Sequence, residues 1–479
     1  MKEYQRIQPI NDKEGQAIKD GAPKPGRCAS CSLLALFFLA ILAGLVAAVI
    51  LIITNPQGVS PKPVPCTDPC TVILAESMPL NLTFPDGSPR FQSTFAIWKE
   101  LLATAEETID ISSYYWTLRG KDIFNDTSDF EGEEIFQELM AAGTTRNISI
   151  RIVENKPSHT VKDYDTKELV AKGAAEVRAL DFDKLLGGGI LHTKFWVVDN
   201  KHLYLGSANM DYRALTQVKE IGVGIFNCSC LAEDLDKLFE VYWYLGNHAT
   251  VPPKWPEEFA TAYNLDTPME LKLNETNATA FIGSSPPAFC PTGRTSDIDG
   301  LLNVVESARK FVYIAVMDYI PEKEFAHPME YWDVIDAKLR EVAFNHHINV
   351  RVMGSIWNHT SDDMIIFLRS LAEMGATGRF NIQAKLFCVP AYTPVEHIMP
   401  YARVNHNKYM VTDNAAYIGT SNWSGTYFTL TGGASLVVNQ TLAQMETNAT
   451  TLQGQLAGLF ERDWNSIHAL PVLHNVECV

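Results

Sequence analysis

The stretch HTKFWVVDNKHLYLGSANMD, from His192 to Asp211, has a near copy in HNKYMVTDNAAYIGTSNWSG, from His406 to Gly425. Each copy reads His-x-Lys-x4-Asp and then Gly-Ser/Thr-x-Asn. In each, two apolar runs of strand length flank a turn signal, Asp199-Asn200 or Asp413-Asn414. The repetition continues outward. WKELLATAEETIDISSYYW (Trp98–Trp116) and LLNVVESARKFVYIAVMDY (Leu301–Tyr319) each predict an amphipathic helix running into a strand. Further strands are expected at Ile148–Val153 and Ile348–Met353, then at Glu176–Phe182 and Ile382–Val389. After each motif come a strand (Glu220–Phe226; Ala434–Val438) and a closing helix (Leu231–Trp243; Leu452–Trp464), with Phe239 and Trp243 matching Phe460 and Trp464. This alternation predicts an α/β class: two units, each a mixed β-sheet flanked by helices, related by a pseudo-twofold.

Upstream, Leu33–Ile53 is a charge-free apolar run long enough to cross a bilayer as a helix. It is too long for a signal-peptide core and no small-residue cleavage site follows, so an uncleaved signal anchor is expected. Lys2, Arg6, Lys13, Lys19, Lys24 and Arg27 precede it, which places the N-terminus in the cytosol. The expected division is 1–32 cytosolic tail, 33–53 anchor, 54–71 lumenal stalk open to shedding, 72–250 first half, 251–275 Pro-containing linker and 276–479 second half. YQRI (Tyr4–Ile7) fits the tetrapeptide read by sorting adaptors bound for endosomes and lysosomes, and Cys28 and Cys31 fit juxtamembrane palmitoylation.

Lumenal placement predicts glycosylation at Asn81, Asn125, Asn147, Asn227, Asn274, Asn277, Asn358, Asn439 and Asn448. A further acceptor, Asn422, lies within the second motif and is expected to be buried. Cys66 with Cys70, and Cys228 with Cys230, are too closely spaced to bridge internally, so cross-pairing of the two clusters is preferred, with a zinc site as the alternative.

The composition, 46% hydrophobic and 20% charged, is that of a packed globular chain. A net charge of −17 argues against a general nucleic-acid coat, although protonation of the 12 histidines in an acidic compartment weakens that objection.

The paired motifs resemble the phospholipase D superfamily, from roughly Thr71 to the C-terminus. The strings HTKFWVVD, GSANMDYRALTQVKE, PYARVNHNKYMVT and IGTSNWSG are similar to its animal lysosomal branch, phospholipases D three and four. The resemblance implies a type II membrane glycoprotein of the lysosome, an acid 5′-exonuclease on single-stranded DNA and RNA, and a homodimer. It also implies an alternative, phosphatidyl hydrolysis or transfer on phospholipid at the same site. Where the chain departs from the branch's pattern, Cys388 is left to pair with Cys478, and Cys290 is then free.

The chemistry is legible without the name. A phosphodiester needs a good nucleophile, a proton donor for the leaving alkoxide and cationic cover. His192 is expected to attack and give a phosphohistidine, with His406 as acid and then base. Glu220 is expected to accept the Nδ1 proton of His192; the stretch after His406 has no carboxylate, and Leu430 stands near that point. Lys194 and Lys408 would neutralise the nonbridging oxygens, while Asn209, Asn422 and the hydroxyls of Ser207 and Thr420 would donate to them. Tyr115 and Tyr319, with Tyr114 and Met317, end matching strands and are candidates to stack on bases. Asp199 and Asp413, at strand ends, are expected to be structural. Arg213, Lys219, Arg294 and Arg403 could steer phosphate. His159, His202, His346, His347 and His359 have no partner motif and are read as structural or solvated. No cofactor and no metal site are expected. A catalytically dead scaffold is the remaining class, disfavoured by two intact motifs.

Overall fold

Two copies of one strand order organise the molecule. The computed structural model describes residues 62–479 apart from 125, 159–162, 441–450, 474–477 and 479. The predicted anchor, Tyr4–Ile7, Cys28, Cys31, residues 54–61 of the stalk, Asn125, His159 and Asn448 therefore lie outside the described residues. Among the described residues, no helix is long and apolar enough to cross a membrane.

The first sheet is built from β1 (Thr71–Ser77), β2 (Thr108–Ser113), β3 (Ser149–Asn155), β4 (Glu176–Leu180), β5 (Lys194–Val198), β6 (His202–Gly206) and β7 (Glu220–Phe226). Their spatial order is β1-β7-β6-β5-β2-β3-β4. Neighbouring strands pair in parallel only among β2, β3 and β4, so the sheet is mixed. The second sheet contains β8 (Met269–Leu273), β9 (Thr276–Ser285), β10 (Phe311–Val316), β11 (Asn349–Ile356), β12 (Ile382–Cys388), β13 (Lys408–Thr412), β14 (Ala415–Gly419), β15 (Gly433–Asn439) and β16 (Ala469–Pro471). Its order is β8-β9-β15-β14-β13-β10-β11-β12-β16, so the run from β9 to β12 repeats that of the first sheet strand for strand.

The motif strands β5 and β13 are buried along their whole length and read as continuous apolar runs, because both of their faces are covered. The main core lies between the sheets: Phe195, Leu205 and Val223 from one pack in the same cluster as Tyr409, Ile418 and Leu436 from the other. Helices cover the outer surfaces. Helix α1 (Thr94–Thr104) starts at Ser93, whose side chain accepts from the Ala96 N–H; α3 (Asp297–Ser307) starts in the same way at Ser296. The closing helices α2 (Ser229–Leu245) and α4 (Leu452–Trp464) carry the matched aromatics. Phe239 stacks on Trp243 at 5.7 Å and Phe460 on Trp464 at 5.5 Å, each pair beneath an arginine, Arg151 or Arg351.

Several expectations needed correction. Strands β1, β8, β9 and β16 escaped notice; none of them carries a motif. Segment 251–275, read as a linker, contains β8 and buries Phe259 and Thr261, so it is part of the second sheet's packing. Strand β4 stops at Leu180, because Asp181 caps a short helix, Phe182–Leu186. The cysteines pair as Cys66–Cys230, Cys70–Cys228 and Cys388–Cys478, and Cys290 is free. Of the described acceptors, Asn81, Asn147, Asn227, Asn277, Asn358 and Asn439 are exposed. Asn274 is half-buried with its amide bonded to both backbone groups of Val72, and Asn422 is buried.

Candidate active site

Each motif histidine stands two residues before the lysine that opens its strand, and its backbone is clasped by the opposite half. The N–H of His192 donates to the Gly432 carbonyl at 2.8 Å, and the N–H of His406 donates to the Lys219 carbonyl at 2.8 Å. Gly432 and Lys219 each precede the strand that follows the other half's motif. This exchange brings both imidazoles to one cleft of about 620 Å³, shared with Asn209, Asn422, Tyr114 and Tyr115. Behind each imidazole, the lysine ammonium folds back on its own histidine's carbonyl, Lys194 at 2.7 Å and Lys408 at 2.8 Å. Asp199 accepts the N–H groups of Glu106, Glu107 and Thr108, while Asp413 accepts those of Arg309, Lys310 and Phe311. Both aspartates thereby tie a motif strand to the turn before its neighbour.

The two imidazoles differ in what holds Nδ1. His406 Nδ1 lies 2.9 Å from both carboxylate oxygens of Glu220. His192 Nδ1 donates to the Thr420 carbonyl at 2.9 Å; a carbonyl can only accept, so Nε2 carries the lone pair. The expectation that Glu220 serves His192 is therefore corrected. The clasp explains why: Lys219 bridges to Asn405, so the next residue, Glu220, reaches the second histidine rather than the first. The true counterpart of Glu220 is Gly433, not Leu430, since Ser77 pairs with Glu220 and Ser285 with Gly433 on matching strands. A Cβ at Gly433 would press on the hydroxyls of Ser421 and Ser285, the latter at 2.6 Å, so a side chain there would have to displace both, and His192 has the Thr420 carbonyl in place of a carboxylate.

Burial pushes His192 well below the ordinary histidine range, and Lys194, Lys408 and His406 add to it. Burial also lowers His406, but there Glu220 pulls the other way. Lys194 is held well below its usual range by burial and by Lys408; Lys408 is pushed down to about 8 by burial, against Glu220 and Asp318.

The remaining residues divide sharply. The Asn422 amide donates to Asp318 at 2.8 Å and to the Tyr427 hydroxyl at 3.2 Å. The Asn209 amide reaches the Tyr115 hydroxyl at 3.4 Å, and that hydroxyl donates to Asp211 at 2.8 Å. Ser207 and Thr420 do not face the cleft: the Ser207 hydroxyl donates to Glu220 at 2.5 Å, and Thr420 Oγ1 accepts the Ala434 N–H at 3.0 Å. Tyr319 is a core residue whose hydroxyl donates to Asp336 at 2.7 Å, whereas Tyr114 does enter the cleft, 5.3 Å from the His192 ring. The steering cations are committed elsewhere: Lys219 to Glu76 and Asp463, Arg294 to Asp234, Arg213 to Asp211, and Arg403 to the carbonyls of Pro390 and Leu80.

Asp318 escaped the sequence reading, yet aligning the halves would have exposed it. Ser113 pairs with Lys194 and Val316 with Lys408, so Asp318 occupies the place of Tyr115. Trp357, His359, Tyr401 and Glu324, also in the cleft wall, carry no such signal.

Residues 86–392 match the family described as PLD3/4, PLD-like domain. The chain is 46% identical over 480 residues to 5'-3' exonuclease PLD3 of Xenopus laevis, covering 98% of this chain and 96% of the relative. It is 48% identical over 423 residues to 5'-3' exonuclease PLD3 of Homo sapiens (88% and 84% covered), and 44% over 416 residues to 5'-3' exonuclease PLD4 of Mus musculus (86% and 82%). Among solved structures, phosphatidylserine synthase of Haemophilus influenzae superposes with a TM-score of 0.51 at 11% identity, covering 79% of this chain and 85% of that one. At that identity the likeness speaks for fold alone.

Proposed function

The chain belongs to the PLD3/4 family of PLD-like domain proteins, and we propose on that premise that it is a phosphodiesterase removing nucleotides from the 5′ end of single-stranded DNA and RNA. The near full-length identity to proteins named 5'-3' exonucleases carries the reading. The two Nδ1 partners supply its mechanism.

His192, neutral because it is buried among cations, attacks phosphorus through Nε2. As the N–P bond forms, the P–O bond to the leaving group breaks, and His406 gives that oxygen its proton. The Glu220 carboxylate stabilises the imidazolium that this role requires, which a carbonyl does less well. Water then loses a proton to His406, attacks phosphorus and frees His192. Lys194, Lys408, Asn209 and Asn422 hold the nonbridging oxygens during both displacements. His192 thus keeps the nucleophile's part, for a reason opposite to the one the sequence suggested. The matching strand orders support an origin of the two halves from one duplicated α/β unit. The apolar run Leu33–Ile53 and the acceptors on the exposed surface support a single-pass type II glycoprotein routed to the lysosome.

The test compares the full chain in detergent with His192→Ala and His406→Ala, on 5′-labelled single-stranded oligonucleotide and on phosphatidylglycerol vesicles at about pH 5. Stepwise release of 5′ nucleotides, lost in both variants, is expected. Turnover of the vesicles alone would transfer the function to phosphatidyl chemistry and leave the mechanism in place.

A further inference from the structure

Beyond the reacting phosphate, the cleft wall carries an aromatic cluster that the chemistry does not use. The ring of His359 stacks on that of Tyr401 at 4.9 Å and 14°. Trp357 meets His359 edge-on at 4.7 Å and 68°, and all three line the same cleft as His192 and His406. Tyr401 nevertheless remains 62% exposed, an unusual state for a ring already backed by another.

The loops that present these rings are held rigidly. Thr360 Oγ1 accepts the Trp357 N–H at 2.9 Å and donates to the Ser355 carbonyl at 3.1 Å, while the Thr360 N–H closes the turn onto the Trp357 carbonyl at 3.1 Å. The Tyr401 loop is bolted to the first half: Arg213 donates to the Pro400 carbonyl at 2.6 Å, and Arg403 to the Leu80 carbonyl at 3.0 Å. Tyr401 and Arg403 sit at φ 54 and φ 55, in the left-handed region, which costs a non-glycine residue about 1–2 kcal/mol. A strained loop, fixed by arginines and turned so that a tyrosine face meets solvent inside the cleft, is built for a ligand rather than for packing.

We infer that Trp357, His359 and Tyr401 form a nucleobase-stacking subsite for the strand beyond the reacting phosphate. Tyr401 precedes His406 by so few residues that even extended backbone separates them by no more than about 18 Å. A phosphate at the histidines and a base on Tyr401 thus belong to one short strand. Parallel rings with polar edges suit the π-face of any base, hence a sequence-tolerant grip. An acyl chain has no use for ring parallelism. The inference rests on the nucleic-acid reading above and names where that substrate's bases lie.

The experiment measures kcat and KM of the full chain on a single-stranded oligonucleotide and on a series with one abasic site moved stepwise from the 5′ end. Wild-type KM should rise about tenfold when the abasic site reaches the stacked position. Tyr401→Ala should raise KM about tenfold on the intact strand, with kcat far less affected and no further rise from that abasic site, while Tyr401→Phe keeps the wild-type KM. A flat abasic series with wild type overturns the inference whether or not Tyr401→Ala folds. So does Tyr401→Ala with wild-type KM, or with KM raised only on phosphatidylglycerol vesicles. If wild type leaves the oligonucleotide intact and turns over the vesicles, the nucleic-acid reading itself falls, and this one with it.

Discussion

Glu220, from the first half, places both of its carboxylate oxygens 2.9 Å from Nδ1 of His406, from the second. The site is thus asymmetric by composition while symmetric in backbone. The same position in the second half is Gly433, and His192 must rely on a carbonyl. One imidazole is backed by charge and the other by a dipole, and in the proposed mechanism this difference separates the proton donor from the nucleophile.

Replacing Glu220 by Gln should therefore impair proton transfer more than binding. With the carboxylate gone, nothing opposes the burial that lowers His406, so its imidazolium is lost at a lower pH. The expected outcome is a fall in kcat of about 10²–10⁴, the range for loss of general acid help, with KM little changed and the alkaline edge of the rate profile moved to lower pH. An unchanged profile would mean that Glu220 only packs.

Asp318 gives the site a second pH dependence. Burial, together with Glu324, pushes its carboxyl up to about 7, with Lys408 opposing. It also faces Asn422 and, through it, Tyr427. Below pH 7 the group is neutral and the Asn422 amide meets no competing anion beside the phosphate. As pH rises through 7, a carboxylate appears there and repels substrate. Asp318→Asn should extend kcat/KM on the alkaline side, measured from pH 5 to pH 8 on oligonucleotide.

Folding stability should follow the same direction. Burial pushes the carboxyls of Asp163, Asp318 and Glu154 up to about 6, 7 and 8, each above its unfolded value. A raised folded pKa contributes stability that is complete at low pH and is lost as pH climbs through the folded value. The lowered His192 and His406 act the other way as pH rises through the ordinary histidine range, so thermal midpoints should drop between pH 7 and pH 8, where Asp318 and Glu154 ionise. Glu76, whose carboxyl is lowered by Lys219 and Arg462 against burial, contributes in the opposite sense only at lower pH. A midpoint that rises over this window would contradict the assignment.

What the sequence disclosed follows from what repeats. The motif strands, α1, the closing helices and the Phe239/Trp243 match were legible because each occurs twice in register. Strand β1 carries no motif and gains its meaning only from pairing with the distant β7, while β8 forms a hairpin with β9, which carries no motif either. The motif histidines and asparagines line the cleft, but the partner of Glu220 could not be read from spacing: proximity in the chain favours His192, while the clasp between Lys219 and Asn405 delivers it to His406. Ser207 and Tyr319 misled for a related reason. Their hydroxyls look free in a sequence, yet buried hydroxyls find the nearest carboxylate, Glu220 for one and Asp336 for the other.

Gly433 provides the sharpest test of the asymmetry. If the second half lacks a carboxylate because no side chain fits there, even a methyl group should disturb the site. A Cβ at Gly433 would press on the hydroxyls of Ser421 and Ser285, the latter at 2.6 Å, and Ser421 adjoins Thr420, which supplies the carbonyl that holds His192. Gly433→Ala should cost about 1–3 kcal/mol of stability through overpacking, read from denaturant unfolding. It should also lower kcat, because His192 Nε2 loses its aim, while the pH profile set by His406 and Glu220 keeps its shape. A Gly433→Ala enzyme with wild-type stability and turnover would show that the glycine merely fills a position, and that a carboxylate on the second half is missing for some reason other than space.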